Sequence, residues 1–173
     1  MDNGVEILWA KCGEMDAGLQ MQEHSHICYQ LHYILRGEPV FIIHDRPLPT
    51  RVHSYFLIPP NTPHRMLPYE SGRIHVYDLK FLIHDPYILS HLPEEPQLLR
   101  DDVLAQRMLD YIVRSWTNKD PRNISNMEQF LCTLLSSFYL DAIRYESSDS
   151  RHIDTSAYNP ITRRIHYEFL YFS

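Results

Sequence analysis

The 173-residue chain lacks a basic excess: sixteen lysines and arginines stand against twenty-two aspartates and glutamates, a net charge of -6. A free-standing nucleic-acid-binding domain needs positive charge to neutralise phosphate, so this balance argues against the chain gripping DNA by itself. Cysteine is scarce as well. Cys12, Cys28 and Cys132 are odd in number and stand in unrelated contexts, which argues against a disulfide framework and fits a reducing compartment. No apolar run approaches the roughly 20 residues that span a bilayer. The start, MDNGVEILWAKCGEMD, lacks the basic residues and apolar stretch of a secretory leader. A cytoplasmic protein with no membrane partner is expected. Low-complexity tracts and internal repeats are also missing, and 44% hydrophobic with 12% aromatic residues is the composition of a chain that folds. Its length suits one compact domain plus an appendage.

What the chain does contain changes character at Pro96. Ten of the twelve prolines lie between Pro39 and Pro96, interrupting short runs of β-branched and aromatic residues, as strands separated by tight turns do. Strands are predicted over Val5 to Trp9, His24 to Leu35, Val40 to His44, Ser54 to Ile58 and Arg73 to Phe81, with a weakly signalled strand at Leu19 to Gln22. HDRPLP, residues 44–49, has turn chemistry. Beyond Pro96 the period becomes helical. Leu104, Met108, Tyr111 and Ser115, with Ala105, Leu109, Ile112 and Trp116, predict a helix near 101–116 with one buried face. Ser125 and Glu128 have capping-box spacing and open a second helix reaching Tyr145. Its apolar positions spread too widely for one contact, so a dimer partner is expected besides the β-domain. ESSDSRHIDTSA, residues 146–157, is polar and aperiodic and reads as a linker. Asn159 and Pro160 cap a third helix with Ile161, Ile165, Phe169 and Phe172 on one face. An aromatic stripe with nothing after it to cover it leads to the expectation that the native chain continues. Arg163 and Arg164 on that helix read as a solvated face.

The stretch GLQMQEHSHICYQLHYILRG, residues 18–37, is crowded with ligand-bearing side chains. Along one extended strand, alternation puts His24, His26, Cys28, Gln30 and His32 on one face and Ile27, Tyr29, Leu31 and Tyr33 on the other. In IPPNTPHRM, residues 58–66, a proline-stiffened turn delivers His64 toward the same place. Three readings stay open. A divalent transition metal (Zn, Ni, Fe or Mn) sits on His24, His26, Gln30 and His64; or these groups and His32 hydrogen-bond a small molecule without metal; or the histidines satisfy one another in a core. Gln30 brings no charge, which weakens the set toward hard ions and breaks the two-His-one-carboxylate pattern of non-haem iron oxygenases. His32 reads as the floor of the barrel, Cys28 as a buried inert thiol, and His44, His53 and His75 as turn or surface residues.

Gly18, His24, His26, Gln30 and Gly37, at their spacing, resemble the first motif of the cupin family, with glutamine where glutamate is usual. Pro59, Asn61 and His64 resemble its second motif, Pro-x-Gly-x-x-His, with Asn61 in place of glycine. The resemblance covers Gly18 to Met66 and implies a mainly β fold with C-terminal helices, its core a double-stranded β-helix or jelly-roll barrel. Residues 29–65, and the order of barrel, two helices, linker and helix onset, are similar to AraC-type transcription regulators. That similarity implies a cupin barrel over 1–96, a helical dimerisation segment over 97–145, a linker over 146–157, and over 158–173 the start of a DNA-binding domain truncated before its helix-turn-helix units. The expected function is sensing without catalysis. A sugar or small organic acid in the barrel shifts the helices and the arm at residues 1–9, and with them the DNA-binding halves of a homodimer. DNA is met only through the missing C-terminal domain. The competing expectation is a metal-dependent cupin enzyme, an isomerase or dioxygenase, against which stand Gln30 and the lack of a paired general acid and base.

Overall fold

The structure, a computed structural model, describes residues 4–70, 72–100, 103–118 and 121–149. The expected helix after Asn159 and residues 150–157 of the expected linker lie outside the described residues. Nine strands and three helices follow in chain order: β1 (Val5–Asp16), β2 (Met21–His24), β3 (Tyr29–Arg36), β4 (Val40–Ile43), β5 (Arg46–Pro49), β6 (Ser54–Ile58), β7 (His64–Met66), β8 (Arg73–Ile83), α1 (Pro86–His91), the two-residue β9 (Leu99–Arg100), α2 (Leu104–Asn118) and α3 (Ile124–Asp149). One antiparallel sheet has the order β1-β8-β3-β6-β9, the other β2-β7-β4-β5. Among β1 to β8, every connection except the β4–β5 hairpin crosses from one sheet to the other. This is the double Greek key of a jelly roll, with two sheets closed over one interior.

Alternation decides what each sheet faces. Along β3, Gln30, His32 and Ile34 point between the sheets, while Leu31 and Tyr33 point out toward the helices. Two apolar clusters result. Ile34, Phe41, Phe56, Ile58, Met66 and Val76 meet inside the barrel. Leu31, Leu79 and Phe81 on the outer face pack against Leu109, Ile112 and Leu131 of α2 and α3. The helices therefore cover the face of the β1-β8-β3-β6 sheet opposite the interior. At roughly 1.5–3 kcal/mol for each fully buried large apolar side chain, these two layers dominate the stability of the fold.

Several boundaries differ from the sequence expectation. The segment expected to be one strand over His24 to Leu35 is two, because the chain leaves the small sheet after His24 and enters the large one at Tyr29. Residues 44–49 are not all turn: only His44 and Asp45 are, at φ 50° and 59°, and Arg46–Pro49 is a strand. Two successive left-handed residues make the tight hairpin turn that strand twist favours. Pro47 and Pro49 are tolerated because β5 is an edge strand. Ser125 lies inside the first turn of α3 rather than ahead of it, since a 3-10 turn at Pro121–Asn123 starts the helix one residue earlier, at Ile124. The same helix runs to Asp149 and absorbs the first part of the expected linker. Gly37 turns the chain at φ 84°, where a Cβ would stand 3.2 Å from the Arg73 carbonyl oxygen. No helix of the described residues is long and apolar enough to cross a membrane.

Candidate functional site

His24 and His64 are direct register partners across β2 and β7, so the small sheet itself sets their rings 4.2 Å apart by centroid. His26 is not in a strand. It sits in the crossover between the sheets, and its carbonyl accepts a 2.7 Å hydrogen bond from the Asn61 N–H. Asn61 has φ 58°, a left-handed conformation that asparagine tolerates better than most residues. This explains how asparagine serves where the motif has glycine. Strand parity alone, the basis of the sequence expectation, thus does not bring His24 and His26 together. A cross-strand pair and a pinned crossover do.

The three rings share one pattern of restraint. Nδ1 of His24 donates to the Gln22 carbonyl at 2.9 Å, Nδ1 of His26 to the Cys28 carbonyl at 2.8 Å, and Nδ1 of His64 to the Thr62 carbonyl at 2.8 Å. Each backbone carbonyl fixes a ring orientation and turns Nε2 toward the cluster, the arrangement that supports imidazole ligands, although Nε2 of His26 is engaged by Gln30. One ligand nitrogen from each ring lies within 4.8 Å of the others. His64 is fully buried, and its Nε2 has no hydrogen-bond partner among the described residues. Burial, reinforced by the neighbouring imidazoles, pushes its pKa down to about 4, so at neutral pH that nitrogen keeps its lone pair. A buried acceptor without a partner costs roughly 1–3 kcal/mol, which a ligand or ion there would recover. These features fit a divalent transition metal, as three converging imidazoles do.

Gln30 is buried beside this cluster. Nε2 of His26 donates to Gln30 Oε1 at 2.7 Å, and Gln30 Nε2 donates to Asp78 Oδ1 at 2.7 Å. Asp78 was not anticipated from the sequence, because it lies 48 residues from Gln30 and only the β3–β8 register joins them. A carboxylate can only accept, so Asp78 turns the amide NH2 toward itself and the amide oxygen toward the histidines. The acidic group missing from the histidine motif is therefore present one step back.

The inner face of the large sheet forms rows through the strand register. Trp9, Lys80, Gln30 and Ile58 make one row; Lys11, Asp78, His32 and Phe56 make the next. His32 is buried with its ring between Phe41 and Phe56, at 5.1 and 5.4 Å by centroid. Neither of its ring nitrogens has a hydrogen-bond partner among the described residues, and burial pushes its pKa down. Cys28 is buried, with its sulfur 3.6 Å from His26 Nδ1. Three other histidines stand apart: His44 is in the exposed β4–β5 turn, His53 meets the Tyr33 hydroxyl at 3.2 Å, and His75 faces Glu14 at 3.6 Å.

The AraC-like ligand binding domain model matches residues 14–159 of this chain. The chain belongs to that family. The match to an AraC-like domain agrees with the architecture of solved structures. ToxT from Vibrio cholerae O395 is similar at a TM-score of 0.54 and 12% identity, over 81% of this chain and 56% of ToxT. ToxT from strain SCE256, solved with an unsaturated fatty acid bound, is similar at a TM-score of 0.53 and 13% identity, over 78% of this chain and 54% of ToxT. The chain thus spans about half the length of ToxT. A shorter stretch, 44% of this chain and 68% of the other, is similar to a predicted oxalate decarboxylase from Thermotoga maritima at 17% identity and a TM-score of 0.42. No curated protein matches.

Proposed function

We propose that this AraC-like domain is the effector sensor of a transcription regulator, acting by binding and not by turnover. The observation that carries this reading is the interior cluster of His24, His26, His64, Gln30 and His32, in which buried nitrogens of His32 and His64 have no hydrogen-bond partner among the described residues. Barrel residues 1–96 hold the effector, a sugar or small organic acid. Segment 97–145 forms the homodimer contact, residues 150–157, after the end of α3, a linker, and 158–173 the start of the DNA-binding part. Effector binding is favoured in one arrangement of barrel and helices, and that differential affinity moves the DNA-binding halves.

His24, His26 and His64, with Gln30 Oε1 beside them, would hold a divalent metal of the Zn, Ni, Fe or Mn type. Such an ion would supply Lewis-acid attraction for an anionic group in the barrel. The chain's own residues orient the rings through three carbonyls and the amide through Asp78.

A thermal-shift survey of sugars, organic acids and fatty acids tests the sensor reading, with oligomeric state followed by light scattering. Expected is a compound that raises the melting temperature of the wild type, does so less for His24→Ala, and is recovered unchanged. If that compound is converted during incubation, the isomerase or dioxygenase reading replaces this one. If no compound acts on the wild type, the barrel is not a sensor.

A further inference from the structure

The sequence contains three lysines, Lys11, Lys80 and Lys119, and two of them stand in the two inner rows described above. Lys11 is exposed and lies over Trp9, 5.2 Å from the ring centroid. Lys80 is half-buried beside Gln30 in register, and it makes no ion pair among the described residues. Asp78 is the one carboxylate in these rows, and it accepts from Gln30. The triad adds no negative charge. This end of the interior is therefore matched to an anion.

His32 narrows the class. A neutral imidazole presents one donor and one acceptor, and both nitrogens of His32 are buried without partners among the described residues. A hydroxyl, which donates and accepts, complements it. A second carboxylate at His32 would stand next to Asp78, its direct register partner, and repel it. An acyl chain would leave both nitrogens unpaired between Phe41 and Phe56.

The geometry points to Lys80 and His32 as the recognition groups for a small hydroxycarboxylic acid in the barrel, with the carboxylate toward Lys80 and the hydroxyl at His32. This rests on the barrel being a ligand site, but not on the metal.

Calorimetric titration of the full chain tests it with glycolate, L-lactate and L-malate, each beside its deoxy analogue acetate, propionate or succinate. Ethylene glycol, 1,2-propanediol and 1,2,4-butanetriol serve as neutral counterparts, and octanoate as the acyl acid. All are run in EDTA and again with Ni(II). At least one hydroxy acid is expected to bind about tenfold or more tightly than its deoxy analogue, and the neutral diols and triol not measurably. His32→Phe, which keeps an aromatic ring between its neighbours, is expected to bring the hydroxy-to-deoxy ratio to within about twofold in the same metal state. Chelation by the ion persists in that variant, so the lost ratio belongs to His32. Lys80→Met is expected to weaken both acids together. The proposal is overturned if the ratio survives His32→Phe, if a neutral compound or octanoate binds more tightly than every hydroxy acid, or if no hydroxy acid binds in either state. A sugar found by the broader survey, with no hydroxy acid binding, removes this inference and leaves the sensor reading standing.

Discussion

At the scale of residues, Gln30 and Asp78 make one unit. Asp78 fixes which end of the amide faces His26, and its negative charge behind the amide favours a divalent cation at the imidazoles. Asp78→Asn lets the amide present either end and removes that charge. It is expected to weaken metal binding by about tenfold, the low end of the range for an outer partner of a ligand, as read by chelator competition. Unchanged affinity would mean that Gln30 plays no part in holding an ion. His32 and His64 govern acid sensitivity. Both have pKa values pushed below the usual 6.5 by burial, His64 to about 4. Below about pH 6.5 the unfolded chain takes up protons that the folded rings refuse, so stability is full above that value and falls as the pH drops toward about 4. Each such group contributes a slope of about 1.4 kcal/mol per pH unit within its window. Urea unfolding at pH 7.5 and pH 5 is expected to show the loss, and His32→Phe to reduce it. Equal midpoints at the two pH values would contradict the buried neutral assignment.

At the scale of elements, the outer face of the large sheet carries a row of tyrosines directly behind the row that holds His32 and Asp78. Tyr77, Tyr33 and Tyr55 are register neighbours, with centroids 6.1 Å apart in each adjacent pair. Each hydroxyl reaches a helix: Tyr77 donates to Asp110 Oδ1 at 3.0 Å and Tyr33 to Gln106 Oε1 at 3.5 Å, both on α2, while Tyr55 meets Ser137 Oγ of α3 at 2.8 Å. Burial and the Asp110 carboxylate push the Tyr77 hydroxyl up to about 12, so it stays a donor throughout the physiological range. Tyr55→Phe removes one such bond and is expected to cost about 1 kcal/mol, lowering the melting temperature by about 2–4 °C, measured by calorimetry. A change below 0.5 °C would show that these hydroxyls do not fasten the helices. Sequence patterning made β1, β3, β4, β6 and β8, the two large helices and the inner and outer parity of β3 legible, because periodicity records which side is buried, but it missed the short β5, β7 and β9. It could not expose α1, only six residues long, whose start at Asp85 and Pro86 carries no apolar period. Nor could it show the break after His24, since alternation continues unaltered through a crossover. Asp78 was hidden for a related reason: only long-range register makes it a neighbour of Gln30.

At the scale of the whole molecule, the jelly roll puts binding chemistry between its sheets and the helices on the far side of one of them. A single layer of alternating side chains separates the two. Under the proposed sensor reading, ligand contacts and helix contacts therefore fall on opposite faces of the same strands. The measurement that bears most directly on the site is a calorimetric titration of Ni(II) into the purified chain, the wild type beside His24→Ala and Asp78→Asn. One ion per chain is expected, bound weakly or not at all by His24→Ala and with intermediate affinity by Asp78→Asn. Equal binding by the wild type and His24→Ala, or no uptake by the wild type, would contradict convergence of the three imidazoles on one ion.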